Sequence, residues 1–399
     1  MLTPLDEALA AIRRRARPLP AEDVPLAEAD GRVLAEAVRA RRDQPETDIS
    51  MMDGYALRAA DVAGPLRLAG EIAAGDAPWT RSLAPGEAAR IFTGAPLPPG
   101  ADSVVMQEHS VREGSTVRVQ QPPTAGQHIR RRGEELLAGA EALPAGRVLD
   151  PSDLALAAAC GASVVRAHRR PRVAILCTGS ELVAVGEDPP PGKIVETNSL
   201  TLSALARAAG AEVLRLGVAP DAVERIAERL RDAPADILLT TGGASVGDHD
   251  HAQDALERLG GELIFHTVAI RPGRPVLFGT ASADRLVFGL PGNPAAATLG
   301  FELFVRLAVR MLSGDPKPDR PAARARLRGS ITRVEGLTYF PRGAVRAEGS
   351  TLVFTPGEQQ SSMQIASWSG ANAVAMIPPG EGKLEEGSEI DILLVGPLT

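Results

Sequence analysis

Hydrophobic and polar positions change their spacing several times along the chain, and each change predicts a segment of different structure. Residues 1 to about 42 carry apolar residues at helical spacing in LDEALAAIRRRA and LAEADGRVLAEAV, which predicts two short helices. A Pro- and Gly-rich region with short apolar runs, such as ARIFTGA and STVRVQQ, follows to about residue 127 and predicts a small β-rich domain. Helical spacing returns in PSDLALAAACGA, where we expect Ser152 or Asp153 to cap the helix start and Gly161 to end it.

From about residue 170 the pattern alternates between strand and helix. The predicted strands are RVAILCTG, EVLRLGVA, ADILLTTGG and LVFGLPG, and the predicted helices are SLTLSALARAAGA, DAVERIAERLRDA, HAQDALERLGG and FELFVRLAVRML. This alternation is typical of right-handed βαβ units in a doubly wound, mostly parallel sheet covered on both faces. From about residue 320 short strands recur without a strong helix, which predicts a small closed or sandwich-like β-domain. The fold class is therefore multidomain, α/β and β.

Length and composition narrow the class of protein. The 399 residues exceed a single core and predict two to four domains. No apolar run is long enough to cross a bilayer, and MLTPLDEALAAIRRRARP lacks the order of a secretory signal, so we expect a cytoplasmic protein that does not bind membranes. The net charge of −7 argues against a general nucleic-acid binder. The two cysteines, Cys160 and Cys177, support neither a disulfide framework nor a zinc cluster.

The stretch TTGGASVGDHDH, residues 240–251, directly follows a predicted buried strand and admits two ligands. A transition metal would be held by the two histidines, with Asp248 and Asp250 beside them. A phosphate would instead be held by the backbone amides of Gly242 and Gly243, with Mg²⁺ on oxygens of Asp248 or Asp250.

Two further strands end in similar loops, CTGSEL and GLPGNP, and ligands of open parallel sheets bind where the strands end. Such loops can serve only as turns. Three of them at successive strand ends, with Glu181 and Asp250 nearby, favour the phosphate and Mg²⁺ interpretation. Neither a Walker loop nor a dinucleotide fingerprint occurs. In RPGRP, Arg271 and Arg274 flank a Pro-Gly turn and could hold an oxyanion, although a surface turn explains the same letters.

Seven motifs occur in the order found in one family, spread over nearly the whole chain. They are SMMDGYA at 50–56, FTGAPLPPGADSVVMQE at 92–108, IRRRGEEL at 129–136, LCTGSEL at 176–182, TTGGASVGDHD at 240–250, RPGRP at 271–275 and LPGNP at 290–294. The chain thus resembles the MoeA family of molybdopterin molybdenumtransferases, which includes the gephyrin E domain.

The resemblance implies insertion of molybdenum from molybdate into adenylylated molybdopterin, with Mg²⁺-dependent release of AMP. It implies a homodimer whose active clefts lie between the α/β domain of one subunit and the β-rich domain of the other. It also implies that the adenylyltransferase and recipient molybdoenzymes are partners. The matching domain boundaries are 1–42 plus 128–168 for an N-terminal helical or mixed domain, 43–127 for an inserted β-rich domain, 169–316 for the α/β domain and 320–399 for a C-terminal β-domain.

The resemblance also carries functional roles onto residues of this chain. The implied catalytic residues are Asp53, Thr93, Glu135, Glu181, Asp221 and Asp250, of which Asp250, helped by Glu181, would hold Mg²⁺. The implied substrate-binding residues are Gly242, Gly243, Ser245, Arg271, Arg274, Pro275 and Arg342. For Asp221 a simple helix N-cap is the competing interpretation.

The chain departs from the family pattern at three places. Glu135 replaces an aspartate, Ala295–Ala296 replace a usual serine, and Gln253 replaces a common lysine. Two other functions stay open at this point: a molybdopterin adenylyltransferase, whose loop is similar, and a non-catalytic scaffold module.

Overall fold

The computed structural model describes residues 2–242 and 251–398, without the side chain of Ala283. The chain forms two compact units. The first comprises Met1–Glu22, Gly31–Ala35 and Ala167–Thr399, and the second comprises Asp23–Asp30 and Glu36–Arg166. The division into four segments expected from the sequence stays a prediction.

Seven α-helices are assigned among the described residues. They span Leu5–Arg15, Pro151–Ala159, Asn198–Ala208, Val223–Arg231, His251–Arg258, Pro294–Gly300 and Arg306–Leu312. The last two helices are joined by a π-helical turn at Phe301–Val305, so FELFVRLAVRML is helical as predicted. In the described part of the chain, no helix is long and apolar enough to cross a membrane.

A six-stranded sheet, called the central sheet below, organises the first unit. Its strands in spatial order are Glu212–Ala219, Arg172–Thr178, Ile237–Thr241, Arg285–Leu290, Pro275–Ala281 and Glu262–Thr267. The first four are parallel to one another, and they are the four strands that the alternating pattern predicts. The strand Pro275–Ala281 pairs antiparallel with both of its neighbours, so the doubly wound, mostly parallel sheet ends in an antiparallel edge.

Side chains of the central strands alternate between two cores. Val173 and Ile175 pack in the cluster that contains residues of helices Leu5–Arg15 and Asn198–Ala208. Ala174 and Leu176 belong to the opposite cluster, with residues of the helices Val223–Arg231 and His251–Arg258. Strands covered on both faces are apolar throughout, which is why these strands read as continuous hydrophobic runs.

A closed five-stranded barrel forms the C-terminal part of the first unit. Its strands in order are Ala322–Leu327, Thr351–Pro356, Arg342–Glu348, Ala373–Met376 and Glu389–Leu394. The sequence predicted either a closed or a sandwich-like β-domain, and the structure shows a closed barrel. Short strand pairs add to this unit: Leu182–Val183 with Ile194–Val195, Ile270–Arg271 with Thr338–Tyr339, and Ile331–Thr332 with Lys383–Leu384.

The second unit is built on another six-stranded sheet, as the β-rich pattern predicts. Its strands in order are Ser103–Met106, Gly54–Leu57, Glu87–Ile91, Leu66–Ile72, Thr116–Val119 and Ser110–Glu113. Two short pairs, Val38–Arg39 with Glu141–Leu143 and Ile49–Ser50 with Ile129–Arg130, also belong to this unit. Strands Ala21–Pro25 and Val164–His168 are also assigned.

Two local predictions are wrong. LAEADGRVLAEAV forms no α-helix: a 3-10 turn covers Leu26–Glu28, and Gly31 then takes a φ of 69°, which breaks any helix. The helix Pro151–Ala159 is capped by Asp150 rather than by Ser152 or Asp153. The Asp150 carboxylate accepts from the amides of both residues, while Asp153 bonds back to the Asp150 amide and completes a capping box.

Candidate active site

A cleft of about 1340 Å³ lies within the first unit, at the carboxyl ends of three parallel strands of the central sheet. Those strands end at Thr178, Thr241 and Leu290. The loops that follow them supply Gly179, Gly242 and Pro291–Asn293 to its lining. This cleft therefore lies at the strand-end position that the sequence predicts for a ligand.

Glycines at these strand ends lie close to neighbouring atoms, to backbone at Gly242 and to a side chain at Gly179. Gly242 has a φ of 90°, and a Cβ there would lie 2.2 Å from the Thr178 carbonyl oxygen. Gly179 has a φ of 151°, and a Cβ there would lie 2.7 Å from a Glu181 carboxylate oxygen. Any larger residue would push the loops apart or displace Glu181, so the glycines shape the cleft rather than only turning the chain.

Two exposed carboxylates, Glu181 and Asp221, line the cleft. The backbone amide of Ser180 donates to Asp221 Oδ2 at 3.1 Å, which ties the loop before Glu181 to the loop that carries Asp221. Asp221 does not cap the following helix, because the N-cap position of Val223–Arg231 is Ala222 and no side chain makes a cap bond there. The competing interpretation of Asp221 as an N-cap is therefore wrong.

Arg271, Arg274 and Pro275 line another part of the cleft, on the turn between two strands. Both arginines are exposed. The Arg271 guanidinium lies 5.5 Å from the centre of the Tyr339 ring, a cation–π contact with the short strand Thr338–Tyr339 that pairs with Ile270–Arg271. Neither arginine forms an ion pair with an acid among the described residues. Their charge is thus available to an anion in the cleft.

Arg342 is fully buried and lies behind the cleft rather than on its lining. One of its nitrogens, Nη2, donates to the Ser361 carbonyl at 3.3 Å, and Ser361 does line the cleft. Its Nε and Nη1 atoms have no hydrogen-bond partner among the described residues. Burial lowers the pKa of this guanidinium.

Sequence reasoning missed a second set of cleft residues in the run VETN. Glu196 and Asn198 both line the cleft and are buried. The Asn198 amide donates to Thr241 Oγ1 and to the Gly292 carbonyl, each at 2.9 Å, so it joins two of the strand-end loops. The available signal was an acid two residues before a helix and an amide at its first position, directly after a short strand.

Asp53 and Thr93 come together in the second unit. Asp53 Oδ1 accepts from the backbone amide and from the hydroxyl of Thr93, each at 2.8 Å. The bond from the Thr93 amide has the larger effect and the bond from its hydroxyl the smaller, and together they hold the pKa of the Asp53 carboxyl below its usual range. The nearby Arg90 charge acts in the same direction. The glycine after Asp53 is needed because a Cβ on Gly54 would lie 1.8 Å from the Val105 carbonyl oxygen.

Glu135 also belongs to the second unit and forms an ion pair with Arg130. The two following arginines are paired as well, Arg131 with Asp48 and Arg132 with Asp43. The RRRGEE run is therefore an ion-pair network in which each arginine has an acidic partner.

Gly243, Ser245 and Asp250 lie outside the described residues, as do His249 and Asp248. His251 lines the cleft at the start of the helix His251–Arg258. Residues 2–242 and 251–398 contain no group of three His, Cys, Asp or Glu side chains that could hold a metal. Within that range, the exposed carboxylates in the cleft are Glu181 and Asp221, a donor type that suits Mg²⁺.

The first unit thus combines a doubly wound α/β domain, with a cleft at its strand ends, and a small closed barrel. Three family profiles match in succession: "MoeA N-terminal region (domain I and II)" over residues 3–161, "Probable molybdopterin binding domain" over residues 174–311 and "MoeA C-terminal region (domain IV)" over residues 324–395. The chain belongs to the MoeA family.

Curated relatives and solved structures agree with this assignment. A protein of Synechococcus elongatus, named molybdopterin molybdenumtransferase, is 36% identical, with 94% of each chain covered. A protein of Mycobacterium tuberculosis, named molybdopterin molybdenumtransferase 2, is 36% identical, with 96% of each chain covered. A crystal structure of the MoeA protein from Pyrococcus horikoshii superposes with a TM-score of 0.84 at 30% identity and covers 100% of both chains.

Proposed function

We propose that this chain is a molybdopterin molybdenumtransferase that inserts molybdenum from molybdate into adenylylated molybdopterin and releases AMP. The observation that carries the proposal is the cleft of this MoeA-family chain, which combines two exposed carboxylates, Glu181 and Asp221, with two guanidinium groups, Arg271 and Arg274, that form no ion pair among the described residues. A substrate with a phosphate and a molybdate dianion needs both kinds of group, one to hold a cation and one to hold an oxyanion.

In this proposal the strand-end glycine loop, with Gly242 and the adjoining Gly243 and Ser245, binds the nucleotide phosphate through backbone amides. Arg271 and Arg274 bind molybdate, and Pro275 restricts the backbone of the turn that carries them. Arg342 contributes positive charge from behind Ser361. Guanidinium groups suit this role because they stay charged and offer several donors in a fixed plane.

Mg²⁺ is proposed to be held by Asp250 with help from Glu181, and Asp221 is a further oxygen donor in the same cleft. When bound, Mg²⁺ supplies positive charge that stabilises the phosphate of the departing AMP. Asp53, Thr93 and Glu135 are proposed to act in the same reaction. Asp53, held by two bonds from Thr93, stays ionised at neutral pH and offers a fixed negative charge.

We also propose a cytoplasmic homodimer in which each active cleft draws on both subunits, with the adenylyltransferase and recipient molybdoenzymes as partners. Complementation tests the shared cleft: Asp53→Ala and Asp221→Ala, each inactive alone, should regain part of the activity when co-expressed. Sedimentation that finds only monomer in an active preparation would contradict the dimer.

The reaction itself is tested by incubating the purified protein with adenylylated molybdopterin, molybdate and MgCl₂ while AMP is followed by chromatography. We expect AMP release that needs molybdate and Mg²⁺ and consumes no ATP. In a parallel reaction with molybdopterin and ATP, ATP consumption with pyrophosphate release would instead identify an adenylyltransferase. Absence of both nucleotide reactions, with the substrate still bound, would favour a scaffold.

A further inference from the structure

Glu196 is a buried acid in the wall of the cleft, with 6% of its surface exposed. Among the residues that the structure describes, no arginine, lysine or histidine forms an ion pair with it. The nearby Lys193 donates its Nζ to the Ser180 carbonyl at 2.5 Å instead. A buried carboxylate without a cation is costly, so the donors that reach it need to be identified.

Three neutral groups donate to Glu196. The Ser199 amide donates to Oε1 at 2.7 Å, the Ser199 hydroxyl donates to Oε2 at 2.5 Å, and the Cys177 thiol donates to Oε1 at 3.2 Å. An ionised carboxylate can accept about four hydrogen bonds. Oε2 therefore keeps one acceptor direction open, and the thiol on Oε1 is a weak donor that a better one can replace.

A structural role in capping accounts for only part of this arrangement. The N-cap residue of the helix Asn198–Ala208 is Thr197, which makes no side-chain cap bond, and Glu196 satisfies the Ser199 amide in its place. A short neutral side chain can cap a helix equally well. The charge of Glu196 and its place on the cleft wall are not needed for a cap, and they point to a ligand with N–H donors.

We infer that Glu196 recognises the 2-amino-4-oxopyrimidine edge of the pterin ring, and this inference rests on the proposed function. That edge presents an amino group and an adjacent ring N–H, two parallel donors that match the two oxygens of a carboxylate. Glu196 is thereby a specificity-determining residue for the pterin half of the substrate.

The adenine half of the substrate fits this acid less well. Adenine has one amino group, and the ring nitrogens beside it are acceptors that a carboxylate repels. The pterin edge presents no acceptor between its two donors. Cys177 can yield its place on Oε1 without leaving a charge unpaired, because burial and the Glu196 charge raise the pKa of the thiol and keep it neutral.

The test compares the binding of two fluorescent compounds, pterin and lumazine. Lumazine carries an oxo group where pterin carries the 2-amino group. Each is titrated into the wild type, Glu196→Gln and Glu196→Asp at a pH where both rings are neutral. We expect the wild type to prefer pterin by about tenfold or more, as one charge-assisted bond allows. The preference should fall to about twofold or less in Glu196→Gln, while lumazine affinity changes little.

Glu196→Asp keeps the charge but shortens the side chain by one methylene. Its preference for pterin over lumazine should therefore lie between those of the wild type and Glu196→Gln. This variant tests the inference if Glu196→Gln does not fold. If Glu196 had a purely structural role, its replacement would weaken the binding of pterin and of lumazine equally. An unchanged ratio of the two affinities would therefore overturn the inference. Absence of pterin binding to the wild type also overturns it. An AMP preference over IMP that is lost in Glu196→Gln would assign the acid to adenine and overturn it too.

The two proposals fail separately. AMP release with a flat pterin-to-lumazine ratio would remove only the role of Glu196. Ring discrimination without AMP release would keep the pterin site and remove the proposed reaction.

Discussion

Asp53 Oδ1 accepts two hydrogen bonds from one residue, the backbone amide and the side-chain hydroxyl of Thr93. The two residues are far apart in sequence, and the strand Gly54–Leu57 pairs with the strand Glu87–Ile91 just before Thr93. Sheet pairing therefore brings the MDGYA and FTGA motifs together. The pKa of Asp53 lies below its ordinary value of 3.8 because of these bonds.

Thr93→Val should raise the pKa of Asp53 towards its ordinary value, because the hydroxyl bond is lost while the amide bond stays. A lowered folded-state pKa contributes stability above the unfolded pKa, and this contribution is lost as the pH falls through the folded pKa. Asp53 is proposed to act in its ionised form, so the acid limb of the AMP-release profile should also move to higher pH in the variant. Carboxyl NMR titration measures the pKa directly.

Thr116→Val is the matched control, since the Thr116 hydroxyl donates to the Glu113 carbonyl in a hairpin of the same unit. It should leave the Asp53 titration unchanged. An Asp53 pKa that is the same in Thr93→Val and in the wild type would show that the hydroxyl bond is not maintained in solution.

Gly242→Ala should destabilise the fold through its contact with the preceding loop. The new Cβ would lie 2.2 Å from the Thr178 carbonyl oxygen, in addition to the strain of a φ of 90°. Gly186→Ala is the control, because Gly186 has a φ of 94° and open space around it. Backbone strain of roughly 1–2 kcal/mol is common to both variants, and the contact should add about 1–3 kcal/mol only at position 242.

Urea unfolding of both glycine variants measures the difference. Equal losses of unfolding free energy would mean that the loops at Thr178 and Gly242 move apart without cost, and the glycine would then serve only the turn.

Periodicity revealed most of the fold, because each central strand and helix buries its own regular set of apolar residues. It failed at LAEADGRVLAEAV, where helical spacing surrounds Gly31 and the chain turns instead. The site was predictable at the strand ends, where topology brings loops such as CTGSEL and GLPGNP together. It was not predictable for the Asp221–Ser180 bond, which joins a side chain and a backbone amide distant in sequence, or for the place of Glu196 in the cleft wall, where the Cys177 thiol of the strand Arg172–Thr178 donates to it.

Asp221→Asn should abolish most of the Mg²⁺-dependent AMP release and leave the fold intact. The amide oxygen can still accept from the Ser180 amide, so the loop contact is kept while the charge is removed. Asp221 is exposed, and loss of such a charge rarely changes stability by more than about 0.5 kcal/mol. Steady-state rates at several Mg²⁺ concentrations, with a thermal melt of each variant, provide the measurement.

Asp232→Asn removes an exposed charge from the other end of the helix Val223–Arg231 and is the control. It should leave both rate and melting temperature unchanged. Full activity in Asp221→Asn would reduce Asp221 to a loop-tying residue.

Arg271→Ala combined with Arg274→Ala should weaken molybdate binding by at least about a hundredfold, since charge-assisted hydrogen bonds contribute roughly 1.5–3 kcal/mol each. Binding of adenylylated molybdopterin should persist. Arg326→Ala combined with Arg346→Ala removes the same charge from exposed barrel positions and is the control for a general electrostatic effect.

Ala296→Ser extends this test within the same part of the cleft. Ala296 lines the cleft against the RPGRP turn, where a Cβ on Gly273 would lie 3.6 Å from the Ala296 Cβ. A hydroxyl there can donate to an anion held by the arginines, so molybdate affinity should rise by about 0.5–1.5 kcal/mol. Calorimetric titration of molybdate into the wild type and all three variants decides the matter. Equal molybdate affinities in the wild type and all three variants would mean that the anion binds elsewhere and that Arg271 and Arg274 have no role in binding it.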